Sequence, residues 1–181
     1  MIPGGWRLAT CSYAEYEPGM GVPVRTSVGP HPAYPDIAWI GALAPFGIFG
    51  KMDDRPIDEQ RAAYWSRLHQ QAAVIETRLD QLSTAYPGRP LVLLCWCTRP
   101  PAGRGVTVAE WVSTCHRRWA AAWFGEHHGL TVPELGVSGL EDNASVLDFP
   151  VPGHTAIPGD AGSTVSGASG ADQHHPRGGH S

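Results

Sequence analysis

Residues with reactive or metal-ligating side chains are concentrated in one part of the sequence. Cys95 and Cys97 stand at the end of an apolar run, and Cys115, His116 and Arg117 follow further along the chain. Thiols and imidazoles act as nucleophiles, acid–base groups and metal ligands, and guanidinium groups bind phosphates and carboxylates. This stretch is therefore the strongest candidate for a functional site.

One interpretation is nucleophilic catalysis by Cys115, with His116 or Cys95 contributing. Adjacent residues on a helix point about 100° apart, so Cys115 and His116 do not easily form a nucleophile–base pair. The phosphatase-type loop, in which an Arg follows the Cys after five residues, is absent after Cys115. Catalytic roles stay unknown, and the sequence leaves open whether the protein is an enzyme.

A second interpretation is a zinc site formed by Cys95, Cys97, Cys115 and His116. Structural zinc sites favour two or more residues between paired ligands, so the spacing Cys-x-Cys followed by Cys-His is unusual for them. We expect no metal at these residues, and the cofactor is unknown.

A third interpretation is an anion site at the start of a helix. The first N–H groups of a helix are unpaired and its dipole is positive there, which attracts anions. We expect Arg117 to be exposed on the first turn, to bind the anion and to contribute little to stability. In the simplest alternative, Cys95 and Cys97 fill the core, while His116 and Arg118 lie on a solvated surface.

The elements that must position these residues follow an α/β order. Apolar runs predict strands at 7–13 and 89–97, and the second is continuous enough to be buried on both faces. A stripe of apolar residues predicts one long helix from Asp58 to 82, and a second helix runs from Val108 or Cys115 to a stop at Gly129. We predict a small single domain with a mostly parallel sheet flanked by helices.

The first strand and the loop after it supply further polar groups. Residues 17–56 are rich in Pro and Gly with interspersed aromatics, which predicts a long ordered loop. In a parallel sheet, Ser12, Tyr13 and Arg25 would reach the edge at which Cys97 ends its strand, where polar ligands bind. Alternatively, Tyr13 packs beneath the loop and Arg25 pairs with a surface acid such as Asp36.

Composition divides the chain and limits its partners. From Pro150 onward there is no aromatic residue, so we predict a domain at 1–139 and a disordered tail at 140–181. The net charge of −4 does not support binding to nucleic acid as a broad polycation. Without an apolar segment of signal-peptide or membrane-span length, we expect a cytoplasmic protein with reduced cysteines and no membrane partner.

Three segments resemble the domain of unknown function 488 family: RLATCSYAEYEPGMGVPVRTSVG, LVLLCW and CHRRWAAAWFGEHHGLTVPELG. The resemblance covers about residues 7–136 and implies a small α/β domain of bacterial or phage type, without an established reaction. It implies these site residues: Ser12, Tyr13, Arg25, Cys95, Cys115, His116 and Arg117. Cys97 stands where members of that family commonly carry an acidic residue, and the insert before Cys115 is long.

Together these features predict binding of, or catalysis on, an anionic small molecule, nucleotide or nucleic-acid base at the strand ends and the helix start. The expected partner is a small anionic ligand or nucleotide. The alternative is a non-catalytic interaction or regulatory protein, which the predicted tail and exposed Trp residues would suit.

Truncation after Leu140 should leave thermal stability almost unchanged, because the segment beyond it lacks the apolar side chains needed to pack. The melting temperature of the truncated protein checks this. A fall of more than about 5 °C, roughly 1 kcal/mol for a domain of this size, would show that the tail packs.

Overall fold

A computed structural model describes residues 5–97 and 114–136 of the chain. Within these residues there are four strands: β1 Leu8–Ser12, β2 Val22–Arg25, β3 Ala38–Trp39 and β4 Leu91–Cys95. They form one parallel sheet in the order β1-β4-β2-β3. Helices flank this sheet, so the predicted α/β fold is confirmed.

The central strand β4 explains the continuous apolar run of the sequence. All five of its residues are buried, because β1 pairs along one side of it, β2 pairs along the other and both faces are covered. Pro133 to Leu135 extend the sheet beyond β1. The Thr10 N–H donates to the Pro133 carbonyl at 2.8 Å, and the Leu135 N–H donates to the Thr10 carbonyl at 2.7 Å.

The predicted long helix is two helices, α1 Ile57–Gln70 and α2 Ala72–Ala85, so the prediction of one helix is wrong. The break at Gln71 lets α1 pack on the last helix while α2 packs beside the 3-10 turn Gly41–Leu43. The stripe has buried residues on both sides of Gln71, so the apolar pattern of the sequence does not reveal the break. The buried members of the stripe are Trp65, Leu68, Ile75, Leu79 and Leu82.

The N-cap of α1 also differs from the expectation. Pro56 occupies that position, and Asp58 lies in the first turn, where its carboxylate pairs with Arg61 at 2.9 Å. The acidic side chain still lies at the positive end of the helix dipole, which is where it is favoured.

The helix α3, His116–His128, has Cys115 as its N-cap and ends at Gly129 with φ 66°. Glycine adopts this left-handed conformation without strain, so the predicted stop at Gly129 is confirmed. The start at 108, the long insert, the domain boundary at 139/140 and the tail 140–181 lie outside the described residues. Among the described helices, none has the length and apolar character that crossing a membrane requires.

The predicted long loop 17–56 is ordered and contains two short strands, β2 and β3, that the sequence did not reveal. Pro23 in β2 argues against a strand by composition, yet Val22 and Val24 are buried in it. Gly21, immediately before β2, has φ 153° and passes close to the residues that open β4. A Cβ atom at Gly21 would lie 2.5 Å from the Pro90 carbonyl oxygen.

Gly21→Ala should lower the free energy of unfolding by about 2–3 kcal/mol, because it adds a collision with backbone to a strained φ. Gly19→Ala is the matched control, since Gly19 has φ 125° but open space around its Cβ position. It should cost only about 1 kcal/mol. Urea denaturation measures both, and equal losses would show that the contact between Gly21 and Pro90 does not constrain the sheet.

Candidate functional site

The candidate residues meet at the carboxyl edge of the sheet. Ser12 and Cys95 are register partners at the ends of β1 and β4, and the Tyr13 N–H donates to the Cys95 carbonyl at 3.0 Å. Arg25 ends β2 opposite Leu94. The N-terminus of α3 comes to the same edge, since Cys115 lies beside Cys95. The edge at which open α/β sheets bind ligands is therefore lined by residues predicted from the sequence.

Three thiols form a compact group, which we call the cysteine cluster: Cys95, Cys97 and Cys115. Their Sγ atoms all lie within 4.8 Å of one another, and those of Cys95 and Cys115 are 3.8 Å apart. Cys95 and Cys115 are buried, and Cys97 is half-buried. The backbone N–H of Cys97 donates to the Cys95 sulfur at 3.3 Å. His116, the fourth residue of the zinc interpretation, is not part of this group.

Arg117 lies on the first turn of α3 as predicted, but the expectation that it is exposed is wrong. Its side chain is fully buried and pairs with the Glu134 carboxylate, with Nη2 and Oε1 2.7 Å apart. Its Nη1 donates to the Cys95 sulfur at 3.0 Å and to the Cys97 carbonyl. The anion that Arg117 contacts in the structure is therefore a carboxylate of the protein itself.

Arg118 is also buried, so its expected place on a solvated surface is wrong as well. Its Nη1 donates to Thr10 Oγ1 at 2.6 Å and lies 3.4 Å from Glu134 Oε2. The Thr10 hydroxyl in turn donates to Glu134 Oε2 at 2.6 Å. We call Thr10, Arg117, Arg118 and Glu134 the carboxylate clamp.

Burial controls the acidity of the cluster. It raises the pKa of Cys95 and that of Cys115 to about 12, against the opposing charge of Arg117. Hydrogen bonding to Cys115 is the largest cause that raises the pKa of Cys97 to about 12. The start of a helix favours a thiolate, but burial outweighs that effect at Cys115. The three thiols of the metal-free protein are therefore protonated at neutral pH and are weak nucleophiles.

His116 is buried between aromatic rings. Its ring centroid lies 5.7 Å from that of Phe49 and 6.2 Å from that of Tyr64. Neither ring nitrogen has a hydrogen-bond partner within residues 5–97 and 114–136. Burial, with a contribution from the Arg117 charge, lowers the pKa of His116 to about 3. The imidazole is therefore neutral, and its expected place on a solvated surface is wrong.

Ser12 has a local role at the end of β1. Its hydroxyl donates to Glu15 Oε2 at 2.7 Å and accepts the Glu15 N–H at 3.2 Å. The side chain is fully buried. These contacts close a turn of the Ser/Thr type, so the structure gives Ser12 a partner within the protein.

Tyr13 belongs to a group of rings that we call the aromatic patch: Tyr13, His31, Tyr34 and Trp96. The Tyr13 ring stacks on His31 with centroids 4.7 Å apart, and His31 lies 4.5 Å from Trp96. Tyr13 is buried and its hydroxyl bonds to Ser27 Oγ at 3.1 Å, whereas Trp96 is 49% exposed. The packing of Tyr13 beneath the loop, one of the two alternatives, is what the structure shows.

Arg25 adds a cation beside the aromatic patch. Burial raises the pKa of Tyr13, and the Ser27 hydroxyl and the charge of Arg25 oppose that rise. The Arg25 guanidinium lies over the exposed Trp39 ring, 4.5 Å from its centroid. Among the described residues it forms no ion pair with Asp36 or another acid, and its buried Nε has no hydrogen-bond partner.

A separate groove of about 500 Å³ lies between β3 and α2. Trp39, Ala42, Val74 and Arg78 contribute to its lining, and Val74 is exposed. None of the three cysteines lines it, and Trp39 also forms the cation–π contact with Arg25.

Several residues of the edge were not foreseen as part of a site. Glu134 was visible only as the acid of the VPEL segment, and its pairing with the two arginines depends on the fold. Thr10, Ser27, His31 and Trp96 carried no signal in the sequence that marked them as site residues.

No protein-family model, curated protein or solved structure matches this chain. The resemblance to the domain of unknown function 488 family therefore stays a prediction from sequence motifs. The functional argument rests on the geometry of the carboxyl edge.

Arg117→Ala should lower the free energy of unfolding by about 3–5 kcal/mol, because it leaves the buried Glu134 carboxylate without its closest cation. Arg55→Ala is the control, since Arg55 forms an exposed pair with Glu59 at 3.8 Å and should cost less than about 1 kcal/mol. Urea denaturation of both variants measures the difference. A loss for Arg117→Ala as small as that for Arg55→Ala would contradict the clamp.

Proposed function

We propose that this protein binds a small anionic ligand carrying a planar ring, such as a nucleotide, at the carboxyl edge of the sheet. The observation that carries the proposal is the juxtaposition of Arg25 with the aromatic patch. Arg117, the cation expected from the sequence, is not part of this proposal, because protein groups occupy its guanidinium.

The charge of the ligand follows from Arg25. A buried donor left without a partner costs free energy, and a carboxylate or phosphate supplies the charge-assisted hydrogen bonds that a guanidinium forms best. Trp39 holds the guanidinium from one side by a cation–π contact but accepts no conventional hydrogen bond from it. An anionic group would complete the coordination of Arg25.

The planar ring of the ligand follows from Trp96 and His31. About half of the Trp96 surface is exposed at the edge, although it packs against His31 and Tyr13. A large aromatic side chain in such a position offers a face on which a base stacks, with a typical contribution of about 1–3 kcal/mol. The same ring would discriminate against ligands without a flat apolar face.

The charge balance of the chain favours a small ligand over a long nucleic acid. The chain carries 13 basic and 17 acidic residues, and two of the basic residues, Arg117 and Arg118, are buried in the clamp. Tight duplex binding needs many phosphate contacts from exposed cations. A nucleotide or a single nucleobase requires only one cation and one stacking surface.

The proposal covers binding and includes no reaction step. The catalytic candidates Cys95, Cys115 and His116 are buried, with protonated thiols and a neutral imidazole in the metal-free protein. A neutral thiol at such a position needs a further agent to become a nucleophile.

Arg25→Ala should weaken binding about ten- to hundredfold, because it removes a charge-assisted contact worth about 1.5–3 kcal/mol. A thermal-shift screen of nucleoside mono-, di- and triphosphates and free bases identifies the probe, and isothermal titration calorimetry measures the affinity. Trp96→Ala should also weaken binding, because it removes the stacking surface.

Arg7→Ala is the matched control, because Arg7 is an exposed Arg that precedes β1 at the opposite edge of the sheet, where it bonds to the Gly88 carbonyl, and its loss should leave the affinity unchanged. Equal affinities of the wild type, Arg25→Ala and Trp96→Ala would contradict the proposed site. If no compound of this class shifts the melting temperature, the alternative of a non-catalytic interaction protein is favoured, and the groove beside Val74 becomes its first candidate surface.

A further inference from the structure

We infer that the cysteine cluster is a metal centre in which the thiolates of Cys95, Cys97 and Cys115 hold one zinc ion. The inference is independent of the proposed ligand site, since it uses none of the residues of the aromatic patch as ligands. It reverses the expectation from the sequence that these residues bind no metal.

The distances between the sulfurs suit a single ion. Zinc–sulfur bonds of about 2.3 Å at a tetrahedral angle place two sulfurs about 3.8 Å apart. The Sγ atoms of Cys95 and Cys115 are 3.8 Å apart, and the third sulfur lies within 4.8 Å of both. A disulfide requires about 2.05 Å between two sulfurs and leaves the third without a role. A bound metal ion accounts for the close approach of all three thiols.

The fold supplies the ligands from three fixed positions. Cys95 is the last residue of β4, Cys97 follows two residues later, and Cys115 is the N-cap of α3. Only one residue separates Cys95 from Cys97, which is unusual for a zinc site. The fold accommodates this spacing, because the Trp96 side chain packs on the Tyr13 and His31 rings while the sulfurs on either side of it lie close to that of Cys115.

The surroundings of the cluster match a thiolate better than a thiol. The Cys95 sulfur accepts hydrogen bonds from Arg117 Nη1 at 3.0 Å and from the Cys97 N–H at 3.3 Å. Such donors are the outer-shell partners that orient metal ligands and spread their charge. On binding zinc, each of the three thiols would release its proton to solvent and form a zinc–sulfur bond.

Three protein ligands leave one coordination position for water or an added ligand, as in catalytic zinc sites. No fourth Cys, His, Asp or Glu of the described residues joins the group, and His116 stays outside it. Residues 98–113, between Cys97 and Cys115, contain neither Cys nor His, and Glu110 is their single acidic residue. The ligand class expected at the open position is one that binds zinc, such as water, a thiolate or a carboxylate.

The test uses the metal alone with the full-length protein. Elemental analysis of protein reconstituted with zinc and then desalted should find one equivalent. Titration of metal-free protein with Co²⁺ should produce the thiolate-to-cobalt charge-transfer band together with the visible bands of tetrahedral cobalt. Cys97→Ser, the change at the least buried ligand, should weaken zinc binding more than about a hundredfold, beyond the loss seen for outer-shell partners.

Cys11→Ser is the matched control, because Cys11 is a buried thiol of β1 that lies outside the cluster, and it should keep full metal binding. Arg25→Ala should also keep it, which separates this inference from the proposed ligand site. The absence of the cobalt charge-transfer band in the wild type, iron in place of zinc, or equal zinc affinity of Cys97→Ser and wild type would each overturn the inference. The wild-type spectrum decides the matter even where a variant fails to fold.

Discussion

The carboxylate of Glu134 is the interaction on which the carboxyl edge depends. It is buried, with its side chain 3% exposed, and it accepts from Arg117, Arg118 and Thr10. A buried ion pair stabilises a fold only when its remaining polar groups are satisfied, and here each partner also binds a second group. One carboxylate therefore ties β1, the start of α3 and the segment at 133–135 into a single unit.

This unit explains how the edge is divided. Arg117 reaches from the carboxylate to the Cys95 sulfur, so the clamp fixes the cysteine cluster at the start of α3. Tyr13 packs with Val92 and Leu94 on the sheet face opposite α3, and Arg25 and Trp96 lie at the same strand ends with part of their surface exposed. The buried cysteine cluster suits a metal held by thiolates, and the partly exposed Arg25 and Trp96 suit a ligand that arrives from solvent.

Sequence reasoning succeeded where the signal is local. The apolar run of β4 and the glycine after α3 predicted a buried strand and a helix end, because burial on both faces and left-handed φ have direct residue requirements. The break at Gln71 carries no glycine or proline and keeps the apolar stripe, so only tertiary packing reveals it. Strand β2 was missed because Pro23 is unfavourable in most strands.

The sequence predicted where the candidate site lies but not the burial and the partners of several of its residues. Parallel strands bring Tyr13, Arg25 and Cys95 to one edge, and that follows from topology alone. The role of Arg117 could not be inferred, because its acid partner lies beyond the helix and local spacing does not identify it. The third thiol likewise joins Cys95 and Cys97 only when α3 docks on the sheet.

The most direct test of the account is a double-mutant cycle between Arg117 and Glu134. The free energies of unfolding of the wild type, Arg117→Met, Glu134→Gln and the double variant are measured by urea denaturation. The account predicts a coupling energy of at least about 2 kcal/mol, because each single change leaves a buried charge without its partner. If the loss of unfolding free energy in the double variant equals the sum of the two single losses to within about 0.5 kcal/mol, the two residues act independently and the account is contradicted.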